Sequence, residues 1–334
     1  MRRALVTGGT GMLGSYLVER LIDGGYTVRA LVRNPKGAQW LRERSVEIVQ
    51  GELADTGAVL AATDRCEIVM HAAAAIGPQS DWETFRLGNV QGTSNVVDAC
   101  ARAGARLVHV SSTAVYGDSR YEMAPVSERI PLPRLPEADA YGRSKQDAER
   151  VVMDAQSSGR IRASIVRPPV MYGQRDRQFI PRIAVVMNRG IFPLCGGGET
   201  TLPVVHANAV AEGAILAAHT DAANGRIYNL TNDFPLTVSR LVSLARIGLA
   251  RGIRAPSLSL GSSRLLFRAL EAVLRTIGRG DLAAHANGTL EMLTHDNPFS
   301  SVRAREELGW SPTIAPDVGV PDAFRWWKAH HGSA

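Results

Sequence analysis

The sequence predicts an α/β protein: a doubly wound parallel sheet of Rossmann type, followed by a smaller, mostly helical C-terminal region. Three observations carry this. The first half alternates short apolar runs with amphipathic helical segments. A glycine triplet sits between the first run and the first helix. After Arg167 the alternation loosens and prolines multiply.

The apolar runs predicted as buried strands are 3–6, 27–32, 47–49, 68–71, 107–110 and 163–166, rich in Val, Ile and Ala. Between them, 12–23, 38–43, 56–62, 89–103 and 144–157 carry helical periodicity. Such alternation requires right-handed crossovers and a parallel sheet. Pro168, Pro169, Pro181, Pro193 and the run Gly196-Gly197-Gly198 then break the pattern. A strand near 226–230 is expected to rejoin the sheet. The expected division is therefore 1–167 with 204–232 as the nucleotide domain, and 168–203 with 233–334 as the substrate-binding region.

Composition is that of an ordinary globular chain: 334 residues, 45% hydrophobic and 21% charged. The net charge of +6 is scattered, with no run of five like charges, so no nucleic-acid partner is expected. Cys66, Cys100 and Cys195 are widely spaced and odd in number, so neither a metal site nor a disulfide framework is expected. No run approaches the roughly 18 apolar residues of a membrane span. The N-terminal apolar stretch ends at Thr7-Gly8, too short for a signal core. A cytoplasmic, reducing setting fits.

Gly8, Gly11 and Gly14 follow a strand and open a helix, with Thr10, Met12 and Leu13 between them. A tight turn, close approach of a pyrophosphate, and close helix–sheet packing each demand a residue without Cβ. The helix N-terminus then offers free N–H groups and the positive end of its dipole. At the end of the second strand, an NAD site usually carries an acid for the ribose diol. This chain has Arg33-Asn34-Pro35-Lys36 instead. Arg33 suits a 2′-phosphate, with Thr10 and Lys36 assisting, so NADP(H) is expected over NAD(H).

Ser112 follows the fifth strand. Tyr141 and Lys145, four apart, share one face of the next helix. Hydride transfer to a ketone leaves an alkoxide that needs a proton. A tyrosine hydroxyl can supply it, and a nearby ammonium is expected to lower its pKa. Ser112 can hold the carbonyl oxygen. Lysine is rare here, occurring only at 36, 145 and 328, which makes Lys145 a specific choice.

These motifs, with 69–74 (Val-Met-His-Ala-Ala-Ala), 89–93 (Asn-Val-Gln-Gly-Thr) and 167–173 (Arg-Pro-Pro-Val-Met-Tyr-Gly), resemble an extended short-chain dehydrogenase/reductase over essentially the whole chain. The resemblance implies that Ala72, Ala73 and Ala74 border the cofactor. It places Glu52 and Leu53 near the adenine, Glu52 standing where the family usually has Asp. It sets Pro168 and Val170 beside the nicotinamide. Tyr141 and Lys145 would also touch the cofactor. Thr113, Tyr116 and Tyr172 are candidates for the substrate pocket, with core packing the competing account of the two tyrosines. His71 and His206 are expected to be structural.

Within the family, nucleotide-sugar epimerases share the segment 112–117, but their diphosphate-binding Arg is absent from 200–210. Dehydratases need an acid pair that 112–114 lacks. The segments 28–33, 205–210 and 297–312 look most like the 3β-hydroxysteroid dehydrogenase and dihydroflavonol reductase group. This implies a hydrophobic secondary alcohol or ketone: a steroid, terpenoid or polyketide. A tightly bound cofactor would mark an epimerase instead. A non-catalytic NADPH-binding protein would be expected to have lost Ser112, Tyr141 or Lys145. The resemblance also implies a homodimer through helices such as 89–103 and 144–157. Finally, 264–277 carries a broad apolar face with arginines elsewhere. Packing against the smaller region is the plainer expectation, a lid or a membrane-surface contact the sharper one.

Overall fold

A computed structural model describes residues 2–77, 81–231, 234–276, 278 and 289–331. The first five strands are β1 (Arg3–Thr7), β2 (Thr27–Val32), β3 (Glu47–Gln50), β4 (Ile68–His71) and β5 (Arg106–Val110). They are followed by β6 (Arg162–Arg167), β7 (Val170–Tyr172), β8 (Leu194–Cys195), β9 (Val204–His206), β10 (Ile227–Asn229) and β11 (Ser257–Leu258). Seven of them form one sheet in the order β10-β6-β5-β4-β1-β2-β3, every pair parallel. The strand expected near 226–230 is β10, and it joins the sheet beside β6.

The helices of this half are α1 (Met12–Asp23), α2 (Gln39–Glu43), α3 (Thr56–Thr63), α4 (Trp82–Phe85), α5 (Gly92–Ala103) and α6 (Ala140–Ser157). Alternation along β1 decides the layers. Ala4 and Val6 face a core with Leu13, Leu17 and Val18 of α1. Leu5 faces the opposite one, with Val59 of α3, Val96 of α5 and Val152 of α6. Each face is dry, which is why these strands read as continuous apolar runs.

The expected boundaries shift where a polar residue is satisfied inside. Strand β5 begins at Arg106, not Leu107. Its buried guanidinium donates to the Ala218 and Thr220 carbonyls and to Asp221. Helix α6 begins at Ala140, four residues before the expected start, because Asp139 caps it through the Gly142 N–H at 2.8 Å. The expected helix 89–103 opens with a π-helical turn, Arg86–Gln91, before α5.

Beyond β6 the chain adds α7 (Phe179–Met187), α8 (Ala207–His219), α9 (Val238–Leu249) and α10 (Leu260–Thr276), then helices Val302–Leu308 and Pro316–His331. Helix α8 returns to the sheet and packs on α1. Ala304, Leu308 and Trp310 join that same core. A second core gathers Phe179 and Ile180 of α7, Leu241 and Val242 of α9, and Phe324 and Trp327 of the last helix.

Helix α10 departs from the packing expectation. Only Ser263 is buried; Phe267, Glu271 and Leu274 are half-buried. Leu265, Leu266, Leu270 and Val273 stand exposed, Leu265 at 70%. Periodicity says which residues share a face, not whether anything covers that face. Ile277 of the expected helix lies outside the described residues.

Candidate functional site

The C-terminal ends of β1, β4, β5 and β6 converge, and the three sequence motifs meet there. Gly8 turns the chain out of β1 with φ +73°. A Cβ on Gly14 would lie 2.0 Å from the Gly8 carbonyl oxygen, so α1 can pack on the loop only with glycine there. A Cβ on Gly8 would lie 2.8 Å from the Ala73 nitrogen. The loop and the alanine segment are thus in mutual van der Waals contact. Gly11 occupies the N-cap position of α1 and no side chain caps the helix. Its N–H groups face outward with the dipole's positive end. The observed cradle fits a dinucleotide pyrophosphate.

Buried polar groups hold this floor in place. Thr7 Oγ1 takes the Ala73 N–H at 3.2 Å and meets His71 Nδ1 at 2.7 Å. His71 Nε2 meets Thr93 at 3.0 Å. Burial drives the His71 pKa down to about 3, so its ring is neutral. That is a structural role, as expected. Asn89, on the π-helical turn, accepts the Ala75 N–H at 2.6 Å and donates to Ser144 of α6 at 2.9 Å. One amide therefore ties the alanine segment to the helix that carries Tyr141.

At the adenine end, Glu52 is exposed and half-buried Leu53 packs against α5 at Gly92. The neighbouring acid, Asp55, is used as the N-cap of α3. Arg33 is exposed and makes no hydrogen bond or ion pair among the described residues. Lys36 is exposed on a 3₁₀ turn that Asn34 caps, and Thr10 is half-buried.

Ser112 ends the strand extension from β5 and accepts the Ala114 N–H at 3.1 Å, closing the turn Thr113–Tyr116. Thr113 N donates to the Pro168 carbonyl at 3.0 Å. The serine turn is thereby fastened to the segment after β6, where Pro168 is buried and Val170 exposed. Tyr141, in the first turn of α6, is half-buried with the Phe85 ring edge-on at 5.9 Å. The Ser112 side chain lies near its hydroxyl and acts to lower its pKa. Lys145, one turn on, is buried and donates to the Val110 carbonyl at 2.9 Å.

The electrostatics correct one expectation. Tyr141 is not pulled down by Lys145. Burial pushes its pKa up, against the lowering influence of the nearby Ser112 side chain, and Asp139 adds to the rise. The Lys145 ammonium donates one hydrogen bond to the Val110 carbonyl, and burial lowers its own pKa to about 8, against the pull of Glu149.

Glu149 belongs to a network that the sequence did not announce. It pairs with Arg167 through two hydrogen bonds of 2.8 and 2.6 Å, both side chains fully enclosed. Arg167 also donates to the Tyr116 hydroxyl at 2.8 Å, and Tyr116 donates to Asn229 at 2.8 Å. Asn229 reaches the Val126 and Ser300 carbonyls. Helix α6, β6, the serine turn and β10 are thus bolted together, the Arg167 bonds being charge-assisted. The available signal was faint: Glu149 lies four residues beyond Lys145, on its face.

The three substrate-pocket candidates are corrected by burial. Tyr116 is fully buried, its hydroxyl saturated by Arg167 and Asn229. Tyr172 is also enclosed, its ring edge-on to His206 at 5.3 Å. Thr113 is buried beneath Pro168. All three are buried, the Tyr172 hydroxyl without a hydrogen-bond partner among the described residues.

Residues 4–231 match the family described as the NAD dependent epimerase/dehydratase family. The chain belongs to that family. It is an extended short-chain dehydrogenase/reductase, an NAD(P)-dependent enzyme acting on CH–OH and C=O groups. A ketoreductase of 4-hydroxy-2-methyl-3-oxo-4-farnesyl-3,4-dihydroquinoline-1-oxide from Stigmatella aurantiaca is 30% identical, covering 97% of this chain and 96% of its own. A 3beta-hydroxysteroid-dehydrogenase/decarboxylase from Arabidopsis thaliana is 26% identical, covering 99% and 81%. UDP-glucuronic acid 4-epimerase from Bacillus cereus, solved with NAD, shares the fold with a TM-score of 0.75 at 18% identity, covering 98% and 99%.

Proposed function

We propose that this enzyme is an NADP(H)-dependent reductase or dehydrogenase that interconverts a secondary alcohol and a ketone on a hydrophobic small molecule, of steroid, terpenoid or polyketide type. The observation that carries it is the placement of Ser112 after β5, with Tyr141 and Lys145 at the start of α6 and Lys145 tied to the end of β5, at the sheet edge that also holds the glycine cradle. The nicotinamide dinucleotide, when bound, supplies the hydride. Gly8, Thr10, Gly11, Met12, Leu13 and Gly14 form the phosphate side of its site, and Ala72, Ala73, Ala74, Pro168 and Val170 the nicotinamide side. Ser112 orients the carbonyl oxygen, and Tyr141 donates the proton that the forming alkoxide takes up. Lys145 fixes the strand end behind Ser112 through Val110.

Apolar groups beside the cradle support the lipophilic substrate. Ile76 and Val170 are 55% and 38% exposed on the two segments that flank the nicotinamide side. The farnesyl-bearing substrate named for the bacterial relative agrees in character.

The test is NADPH oxidation by the purified protein over a panel of hydrophobic ketones, with NADH and nucleotide sugars in parallel. Ketone-dependent consumption of exchangeable NADPH is expected. Conversion of a nucleotide sugar with no net redox change would mean an epimerase. Arg33→Ala is expected to weaken NADPH about thirty-fold, as for a lost charged hydrogen bond, and to leave NADH unchanged. Equal effects on both cofactors would sink the 2′-phosphate assignment.

A further inference from the structure

Helix α10 shows three stripes when its residues are projected at about 100° each. One faces the body and holds Ser263, Phe267 and Leu274, with Phe267 touching the second core. A second, about 40° wide, holds Arg264, Arg268 and Arg275, all exposed. A third, about 140° wide, holds Leu265, Leu266, Leu270 and Val273, exposed at 70, 46, 45 and 56%. Between the last two lie only Gly261 and Ala272, while Ser262, Ala269 and Thr276 are the small residues set within the apolar stripe. The one acid, Glu271, turns inward and pairs with Arg275 at 2.5 Å. Arg264 and Arg268 have no ion pair among the described residues.

A contiguous apolar stripe of this kind on a surface marks a contact. The face turned away from it selects the partner. Two uncompensated guanidiniums on long stems, on the polar face opposite four exposed aliphatic side chains, match a helix lying in a surface with phosphates above hydrocarbon. No described helix is long and apolar enough to cross a membrane. We infer that α10 is an interfacial anchor: it lays Leu265, Leu266, Leu270 and Val273 into the acyl boundary of an anionic bilayer, with Arg264 and Arg268 on the lipid phosphates. The inference does not depend on the reductase reading, because binding is measured without turnover.

The experiment is co-sedimentation of the full chain with vesicles of phosphatidylcholine alone or mixed with phosphatidylglycerol, at low and high salt. Binding to the anionic vesicles is expected, with loss at high salt and little binding to phosphatidylcholine alone. The pair Leu265→Glu and Val273→Glu is expected to weaken binding at least ten-fold. The pair Arg264→Gln and Arg268→Gln should weaken it about thirty-fold, at about five-fold per arginine. Circular dichroism and an unchanged melting transition confirm that the variants are folded. The inference is overturned if the parent chain stays in the supernatant with every vesicle, or if the variants bind as it does. It is equally overturned if light scattering finds a dimer that Leu265→Glu dissociates, which would give the stripe to a second copy.

Discussion

The two sides of this molecule place their costly groups in opposite positions. On the nucleotide side, charge is inside: Glu149 and Arg167 are 5 and 3% exposed, and Lys145 is buried beside them. On the C-terminal side, α10 keeps leucine outside, at up to 70% exposure. A buried ion pair is tolerated when good geometry and further hydrogen bonds support it, and here Arg167 donates from Nε and Nη2 to the two Glu149 oxygens and from Nη1 to Tyr116. What such a network provides is fixed geometry, which a proton-transfer site needs to about half an ångström. An exposed leucine provides nothing to the isolated fold. Its use lies in what it meets.

The largest expected effect tests the chemistry within the rigid side. Tyr141→Phe should lower the turnover of a reducible ketone about a thousand-fold, the mid-range of acid–base catalysis, with NADPH affinity nearly unchanged. Because the ring already packs edge-on to Phe85, the phenyl group has a place to stay. Full activity in this variant would remove Tyr141 from the mechanism.

Next comes the network. Glu149→Gln leaves the Arg167 guanidinium buried and unpaired, at an expected cost of about 3–5 kcal/mol in denaturant unfolding. It should also move a titration. Lys145 has a folded-state pKa of about 8, held there by burial against the pull of Glu149. In the unfolded chain it titrates near 10.4. Between those values the unfolded state binds the extra proton, so this group's contribution to stability rises with pH over that window; below about 8 its burial as a cation is a standing cost. Removing the carboxylate lowers the folded value further. If the Lys145 charge supports carbonyl reduction, the alkaline fall in rate should start near pH 8 in the parent and at lower pH in the variant. A profile that does not move would reduce Glu149 to scaffolding.

Legibility in the sequence followed the same divide. All six expected strands of the first half are present: five are mostly buried and carry the signal in their own composition, while the edge strand β3, with Glu47 and Gln50 exposed, carries it only in Ile48 and Val49. The meeting of Gly8, Ser112, Tyr141 and Lys145 was legible because parallel strands deliver their ends to one edge of the sheet. The partner of Glu149 was not, since Arg167 lies 18 positions away and only the packing of α6 on β6 brings the two together. Tyr116 read equally well as pocket or core until Asn229, 113 residues on, settled where its hydroxyl points. Lys145 was assigned to the tyrosine because spacing shows shared faces. Spacing does not show that the Val110 carbonyl takes the ammonium.

The smallest expected effect sharpens the comparison most. Leu265→Ser should change unfolding free energy by less than about 0.5 kcal/mol, as for any exposed site. Phe324→Ala, in the second core of the same region, should cost about 3–5 kcal/mol. Both are apolar residues on helices, and periodicity ranks them alike. Chemical denaturation of the two variants separates burial from pattern. If Leu265→Ser proved as costly as a core truncation, the stripe on α10 would already be covered within the chain, and its leucines would belong to the fold. If it proves neutral while vesicle binding falls, the same leucines are there for a surface that the chain does not itself contain.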